Sequence, residues 1–219
     1  MKPVCLVLGA GAGIGGTVAA KFAKEGYHSY LCRRSDEEGL DRLIGNIKED
    51  GGEASGCLMN AIEENSIEET ITMIEKDIGP IEVLVYNLGA QTGMKLLDQT
   101  SYKEFEWGWR MASFGLFRAA KVLCPLMVER GKGNILVTSA TAAMRGNKNQ
   151  HSHAAAMGAR RMLCQSLNAE FGRQGIHVAH IVVDGAVDAP DTLGKMLGPE
   201  LYQQMRETRG MEHDGLILP

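Results

Sequence analysis

The feature that most constrains the fold is a strand-like run followed at once by a glycine-rich turn, within residues 3–16. Residues 4–8 (Val-Cys-Leu-Val-Leu) are apolar throughout, which is typical of a short strand buried on both faces of a parallel sheet. Four glycines follow: Gly9, Gly11, Gly13 and Gly15. Residues 17–25 are then predicted to form a helix that ends at Gly26. A strand, a glycine turn and a helix in this order favour an α/β fold.

The same turn predicts nucleotide binding. Glycines let the backbone turn sharply and approach a pyrophosphate with no Cβ in the way, and the N–H groups at the helix start, around Ile14 to Gly16, then point at the anion. The alternative is a plain tight turn, because loops are rich in glycine in any case. The position of this turn between a strand and a helix favours the nucleotide.

Composition argues against several classes of function. The chain has 219 residues, enough for one α/β domain with a sizeable core, and we predict a single domain over residues 1–219. A formal net charge of −4 and the lack of a basic stripe argue against nucleic acid as a partner. No stretch approaches the ~20 apolar residues of a membrane span. The five scattered cysteines form no CxxC pair, so we expect reduced thiols in a cytoplasmic protein.

Strand-like and helix-like segments alternate along the chain. The predicted strands span residues 4–8, 27–32, 53–58, 81–86, 134–139 and 176–183. The predicted helices span residues 17–25, 36–49, 66–77, 101–130, 150–173 and 199–208, and a short apolar segment covers 216–218. The second helix is expected to be capped by Ser35 or Asp36 and the third by Ser66. This alternation implies a parallel, doubly wound sheet, with a ligand at the carboxyl ends of the strands near the topological switch point.

Several motifs make the sequence resemble the short-chain dehydrogenase/reductase family over nearly its whole length. Residues 8–15 (Leu-Gly-Ala-Gly-Ala-Gly-Ile-Gly) are similar to that family's TGxxxGxG turn, with leucine in place of threonine. Residues 86–89 (Tyr-Asn-Leu-Gly) are similar to its NNAG motif. Residues 165–171 and 175–178 match the helix and strand after its active site, and residues 184–188 resemble its PG loop. The resemblance implies a Rossmann-type fold with three α/β/α layers.

The resemblance also implies where a dinucleotide binds. It carries the cofactor contacts over to Gly9, Gly11, Gly13, Ile14, Gly15, Asn60, Asn87, Gly89, Gly185 and Val187. Asn60 stands where the family usually has an aspartate near the adenine. Arg33 stands where members that prefer NADP carry an arginine for the 2′-phosphate, and no carboxylate that could accept the ribose hydroxyls of NAD comes before Asp36. The alternative is a solvated pair, Arg33 and Arg34; we expect NADP rather than NAD.

The catalytic residues of the family are absent from this sequence. Aligned without gaps, its Asn, Ser, Tyr and Lys positions fall on Ala112, Ala140, His153 and Met157. An unperturbed tyrosine has a pKa of ~10 and needs help from its neighbours near neutral pH, whereas histidine starts near ~6.5. His153 is therefore the candidate proton donor. Thr141 in the following loop is a second candidate, and Ser139 is a poor one because neighbouring strand residues point to opposite faces.

Two functions from different classes remain open. The first is an atypical oxidoreductase that moves a hydride between NADP(H) and a carbonyl or alcohol, with His153 as proton donor. The second is a catalytically inactive nucleotide-binding protein that acts as a sensor or a silent subunit, with His153 as a remnant of the pocket. Metal binding by His151 and His153 is disfavoured, because no cysteine or acidic ligand stands at a characteristic spacing.

The resemblance further implies self-association. In the family, the helices equivalent to residues 102–130 and 150–173 pack against a partner subunit. Apolar residues at helical spacing on these two segments are candidates for that surface: Leu116, Phe117, Ala120, Leu123, Leu163 and Leu167. We therefore expect a homodimer or homotetramer.

Overall fold

The computed structural model describes residues 2–89, 95–185, 187, 189 and 194–208, except for the side chains of Met196 and Thr208. Its parallel strands are β1 (Val4–Leu8), β2 (His28–Arg33), β3 (Glu53–Leu58), β4 (Ile81–Tyr86), β5 (Gly133–Ala140) and β6 (Ile176–Val183). Its helices are α1 (Ile14–Lys24), α2 (Glu37–Glu49), α3 (Ser66–Asp77), α4 (Tyr102–Trp109), the π segment (Arg110–Phe114), α5 (Gly115–Arg130), α6 (His151–Phe171), α7 (Lys195–Leu197) and α8 (Pro199–Thr208). This arrangement confirms the predicted doubly wound α/β fold. The predicted segment 216–218 lies outside the described residues.

The strand order places a switch point next to the glycine turn. The six strands run in the order β3-β2-β1-β4-β5-β6, so the chain leaves β1 towards one edge and later returns to its other side as β4. Leu8, at the end of β1, is the register partner of Tyr86, at the end of β4. The segments that follow these two strands therefore emerge side by side, where a parallel α/β sheet binds its ligands.

Helices cover both faces of the sheet, and β1 shows how its residues are divided between them. Val4, Leu6 and Leu8 belong to the larger core cluster, which contains residues of α3, α5 and α6. Cys5 and Val7 belong to the smaller cluster, which contains residues of α1 and α2. All five side chains are fully buried, as the continuous apolar run predicts. Burial of each large aliphatic side chain contributes about 1.5–3 kcal/mol.

The predicted helical stretch over residues 101–130 is confirmed, but it contains a local widening that the sequence did not indicate. The π segment separates α4 from α5, and two side chains from elsewhere bind its carbonyl groups. The Tyr86 hydroxyl donates to the Met111 carbonyl at 2.5 Å, and Arg160 Nε donates to the Ala112 carbonyl at 2.9 Å. When side chains from outside a helix donate hydrogen bonds to its carbonyls, they compete with the regular bonds within the helix, and the helix widens locally into a π turn. The interruption depends on side chains distant in sequence.

Contrary to the prediction from the sequence, one stretch is apolar enough, by length and composition, to cross a membrane. Residues 102–130 contain a window with a mean hydropathy of 1.4, but 61% of that window is buried inside the protein. Leu116 and Leu123 are among the residues that pack into the larger core cluster. Packing against the sheet accounts for this apolar composition.

The predicted helix caps are partly confirmed. Asp36 is the N-cap of α2, and its Oδ1 accepts a hydrogen bond from the Gly39 N–H at 3.0 Å. The prediction of Ser66 as a cap is wrong: Asn65 is the N-cap of α3, and Ser66 is the first helical residue. The Ser66 hydroxyl donates instead to the carbonyl of Asn60 at 2.8 Å. This bond ties the start of α3 to the segment after β3.

Four of the six residues predicted to face a partner subunit are unavailable. Leu116, Ala120, Leu123 and Leu167 are buried in the chain's own core. An apolar stripe at helical spacing does not distinguish the side facing the sheet from a side facing another subunit. Phe117 is exposed, and it lies next to a second exposed ring, Phe114, at 6.5 Å between centroids.

Candidate cofactor site and active site

The glycine turn after β1 is held in a conformation that excludes side chains. Gly9 has a φ of 95°, and a Cβ there would lie 2.7 Å from the Asn87 carbonyl oxygen. A Cβ at Gly15 would collide with the Gly9 carbonyl. The Gly9 and Ala10 N–H groups both donate to the Cys32 carbonyl at 2.9 Å, which fastens the turn to the end of β2. The turn therefore requires glycine at these two positions.

Helix α1 begins within this turn, so its N-terminus follows the carboxyl end of β1. Gly13 is the N-cap and Ile14 the first helical residue, earlier than the predicted start at residue 17. The Gly16 N–H donates back to the Gly11 carbonyl at 2.8 Å. The first N–H groups of a helix have no partner within the helix, and with the helix dipole they attract an anion. The predicted positions Gly11, Gly13 and Ile14 thus lie together in one backbone cradle whose geometry suits an anion.

Asn87 closes this cradle from the other side of the switch point. Its backbone N–H donates to the Leu8 carbonyl at 2.8 Å, and its Nδ2 donates to the Gly9 carbonyl at 2.9 Å. A cleft of about 330 Å³ opens here. Its lining residues are Gly9, Gly11, Arg33, Arg34, Ser35, Asn87, Leu88, Gly89, Trp107 and Met111. The structure therefore brings five of the predicted positions to one cleft: Gly9, Gly11, Arg33, Asn87 and Gly89.

A second cavity, of about 260 Å³, lies next to Arg33 and is lined by three cationic side chains. Arg33 Nη2 forms an ion pair with Asp36 Oδ2 at 2.8 Å, and the Arg33 side chain is 17% exposed. Arg42 from α2 and Lys195 from α7 also line this cavity. The Gly39 N–H bond and these three cations hold the pKa of Asp36 below its usual range. Three cationic side chains surround the single carboxylate of Asp36, and such a positively charged cavity suits a phosphate group.

Asn60, two residues after the end of β3, carries a buried acceptor. Its Nδ2 donates to Glu63 Oε1 at 2.9 Å. Its Oδ1 is buried and accepts no hydrogen bond from the described part of the chain. A buried oxygen without a donor is costly, and the amino group of an adenine ring could supply one. The cradle, the cationic cavity and this oxygen together fit an adenine dinucleotide that carries a 2′-phosphate.

Three of the four positions that the family resemblance assigns to the catalytic tetrad form an apolar floor. Ala112 in the π segment and Met157 in α6 pack into one small buried cluster, with Ala140 partly buried against it. The other members of this cluster are Ala142, Ala143, Ala154 and Ala156. The fold therefore brings three of the four positions together without a polar side chain, and the fourth, His153, immediately precedes Ala154 of this floor.

The candidate proton donors lie around this floor. His153 is half-buried in the first turn of α6, and Thr141 is half-buried at the start of the Thr141–Ala143 3₁₀ turn. Ser139 is buried, and its hydroxyl contacts Met157 Sδ at 3.7 Å, so it points under α6. Gly185 and Val187 follow β6, whose end pairs with Ala140. Residues 186 and 188 of the predicted PG-like loop lie outside the described part of the chain.

Sequence reasoning missed Arg160, whose guanidinium group is 2% exposed beneath the floor. It donates to three carbonyls: Ala112 at 2.9 Å, Thr138 at 2.6 Å and Leu88 at 2.6 Å. It also lies 5.2 Å from the centroid of the Tyr86 ring. One side chain thus joins the ends of β4 and β5 to the π segment. The sequence did carry one signal for Arg160. Charged residues are rarely buried unless they are paired, so an arginine on the side of α6 that faces the protein interior indicates a structural role.

Comparison with known proteins gives consistent matches. Residues 3–194 match the profile of the family described as short chain dehydrogenase. A 7alpha-hydroxysteroid dehydrogenase of Escherichia coli (strain K12) is 28% identical over 200 residues, 91% of this chain and 76% of that protein. A short-chain dehydrogenase structure from Rhodopseudomonas palustris is 30% identical with a TM-score of 0.78, and covers 94% of this chain and 93% of that one. A gluconate 5-dehydrogenase from Burkholderia cenocepacia J2315, solved with NADP and tartrate, is 25% identical with a TM-score of 0.79, covering 89% and 74%.

Proposed function

This chain belongs to the short-chain dehydrogenase family, and on that premise we propose that it is an NADP(H)-dependent oxidoreductase with His153 as its proton donor. The substrate class is a carbonyl compound or its alcohol. The observation that carries this proposal is the location of His153. It is half-buried at the start of α6, at the family's tyrosine position, and borders a floor of alanine and methionine side chains.

The contacts around Arg33 support NADP over NAD. Asp36 is the first carboxylate after β2, and both of its oxygens have partners: Oδ2 binds Arg33 and Oδ1 accepts the Gly39 N–H. Both oxygens are therefore already engaged, which makes this carboxylate a weaker acceptor for the ribose hydroxyls of NAD. The cavity that Arg42 and Lys195 share with Arg33 instead favours a 2′-phosphate. The related gluconate 5-dehydrogenase was solved with NADP, which agrees with this preference.

The chemistry assigned to the chain is a single proton transfer beside a hydride transfer. Bound NADPH supplies the hydride for the carbonyl carbon. The imidazolium form of His153 donates a proton to the carbonyl oxygen, and in the reverse direction the neutral imidazole accepts it. Methionine at position 157 adds no positive charge that would oppose protonation of the imidazole. The apolar floor limits competing water at the reacting atoms.

The second candidate function is a nucleotide-bound protein that does not turn over. The packing of Ala112 and Met157 into one apolar cluster favours it, because this packing leaves no polar group at those positions to bind the ribose or the substrate. Such a protein would bind NADP(H) at the same cradle and signal its presence through a partner.

Cofactor binding tests both candidates, and turnover separates them. We expect NADPH to raise the melting temperature more than NADH does, and NADPH oxidation to appear with some member of a broad panel of aldehydes and ketones. The rate should fall as the pH rises through the pKa of the donor. His153→Phe should lower it by about 10²–10⁴-fold with NADPH affinity unchanged. His151→Phe, which changes an exposed histidine two residues earlier, is the matched control.

The outcomes point to different conclusions. NADPH binding without turnover of any compound would support the inactive nucleotide-binding protein. Full activity in His153→Phe would assign proton transfer to another group, with Thr141 the first to test. No shift in melting temperature with either cofactor would refute nucleotide binding itself.

The proposal extends to assembly and location. Trp109, Phe114 and Phe117 form a row of stacked rings on α4, the π segment and α5, with centroids 5.3 Å and 6.5 Å apart, and all three are exposed. Such a row supports a homodimer or homotetramer through these helices.

Five free cysteines support a reducing, cytoplasmic location. The net charge of −4 disfavours a nucleic acid partner.

A further inference from the structure

Two thiols face each other at the ends of β2 and β3. Cys32 and Cys57 are register partners on these neighbouring strands, and their Sγ atoms are 3.9 Å apart. Cys32 is fully buried, whereas Cys57 is half-buried. One sulfur of the pair is therefore accessible from solvent, and the second lies directly behind it.

The two thiols differ in how readily they ionise. The hydrogen bond between them lowers the pKa of Cys57, and a hydrogen bond from Tyr30 acts in the same direction against the effect of burial. The same contact, together with burial, raises the pKa of Cys32. Burial, with the negative charge of Glu170, raises the pKa of Cys124 to about 11, so that sulfur stays protonated. Cys57 is thus the sulfur placed to act as a thiolate.

We propose that Cys32 and Cys57 form a reversible dithiol–disulfide pair that is oxidised by a hydroperoxide. The Cys57 thiolate attacks the peroxide, so an S–O bond forms, the O–O bond breaks, and the leaving oxygen takes up a proton. The product at Cys57 is a sulfenic acid. Cys32 then loses its proton and attacks the Cys57 sulfur; the S–S bond forms, the S–O bond breaks, and water leaves. Two electrons pass from the thiols to the peroxide, and a dithiol reductant returns them.

Strand pairing gives the spacing that this bond needs. Neighbouring strands lie about 4.8 Å apart, and disulfides join Cα atoms about 4.4–6.8 Å apart. Side-chain rotation is then sufficient to bring the two sulfurs together. The Cys32 carbonyl also accepts the Gly9 and Ala10 N–H groups, so the pair is attached to the glycine turn. If the proposed nucleotide site is correct, oxidation should also change its affinity.

The primary test uses the reduced full-length protein and hydrogen peroxide, and it needs no nucleotide. We expect two thiols to be lost together and to return with dithiothreitol. Peptide mapping should link the β2 and β3 peptides. Alkylation of Cys57 by iodoacetamide should have a pH midpoint below the ordinary ~8.5 of a thiol. A midpoint at or above that value, or a peroxide-treated protein that keeps all its thiols, would overturn the proposal.

Single substitutions assign the two roles. Cys32→Ser should stop at a sulfenic acid on Cys57 that dimedone traps, and Cys57→Ser should lose the rapid reaction with peroxide. Cys124→Ser, which removes a buried thiol from α5, should react as the parent protein does. A linked peptide that contains Cys124 in place of either partner would contradict the assignment. Should a variant fail to fold, the alkylation profile of the parent protein still decides the matter.

Discussion

Replacement of Arg160 by methionine tests whether the buried guanidinium holds the active-site floor together. The side chain is 2% exposed and donates to the carbonyls of Leu88, Ala112 and Thr138. Each buried carbonyl left without a donor costs about 1–3 kcal/mol. The variant no longer buries a charge, and the desolvation free energy that it saves, several kcal/mol, offsets part of this cost. We therefore expect Arg160→Met to lower the free energy of unfolding by about 3–5 kcal/mol, the usual cost of removing one partner from a buried charged network.

Urea unfolding followed by circular dichroism measures this loss, with Arg161→Met as the matched control. Arg161 is the next residue of α6 and is only half-buried. It should cost much less than Arg160. A loss below about 1 kcal/mol for Arg160→Met, or an equal loss at both positions, would refute the reasoning.

A second measurement tests the charge of Arg160 rather than its packing. Burial holds the pKa of His180 below its ordinary value, and the positive charges of Arg160 and Arg161 lower it further. Arg160→Met should therefore raise the pKa of His180, as followed by NMR titration of its ring protons. An unchanged His180 titration in a folded variant would show that Arg160 does not act through its charge.

Three further predictions concern the cofactor, acid stability and assembly. Arg33→Met should remove the preference of the protein for 2′,5′-ADP over ADP in calorimetric titration, a loss of about 1.5–3 kcal/mol for a charge-assisted bond; a preference that survives would exclude Arg33 from phosphate binding. Glu68→Gln should cost about 2 kcal/mol at pH 7, because Glu68 binds Arg118 through both oxygens, at 2.8 and 2.6 Å. That bond lowers the pKa of Glu68, so its contribution to stability is present above the ordinary value of ~4.3 and lost as the pH falls below it; equal urea midpoints for parent and variant at pH 7 would contradict this. Phe117→Glu should shift the mass measured by light scattering to that of a monomer, and an unchanged mass would remove Phe117 from the interface.

The parts of the fold that depend on local pattern could be predicted from the sequence, and the parts that depend on distant side chains could not. Every predicted strand lies within one residue of its observed bounds, because buried apolar runs and glycine breaks are local signals. The interruption at residues 110–114 was missed because it depends on Tyr86 and Arg160. In the site, Arg33 lies at the end of β2 and Asn87 follows β4, so the sequence pattern could predict the position of both residues. Lys195 reaches the Arg33 cavity from a segment far along the chain, so no spacing indicates it.

The π segment sets the direction in which α4 faces. A π turn is equivalent to one extra residue in an α-helix. If residues 110–114 formed regular α-helical turns with no residue removed, α4 would be rotated by about 100° about its axis. The Glu104 carbonyl, which now accepts the Ser152 hydroxyl at 3.2 Å, would then face away from α6. The hydrogen bonds from Tyr86 and Arg160 that hold the π turn therefore also keep α4 against α6.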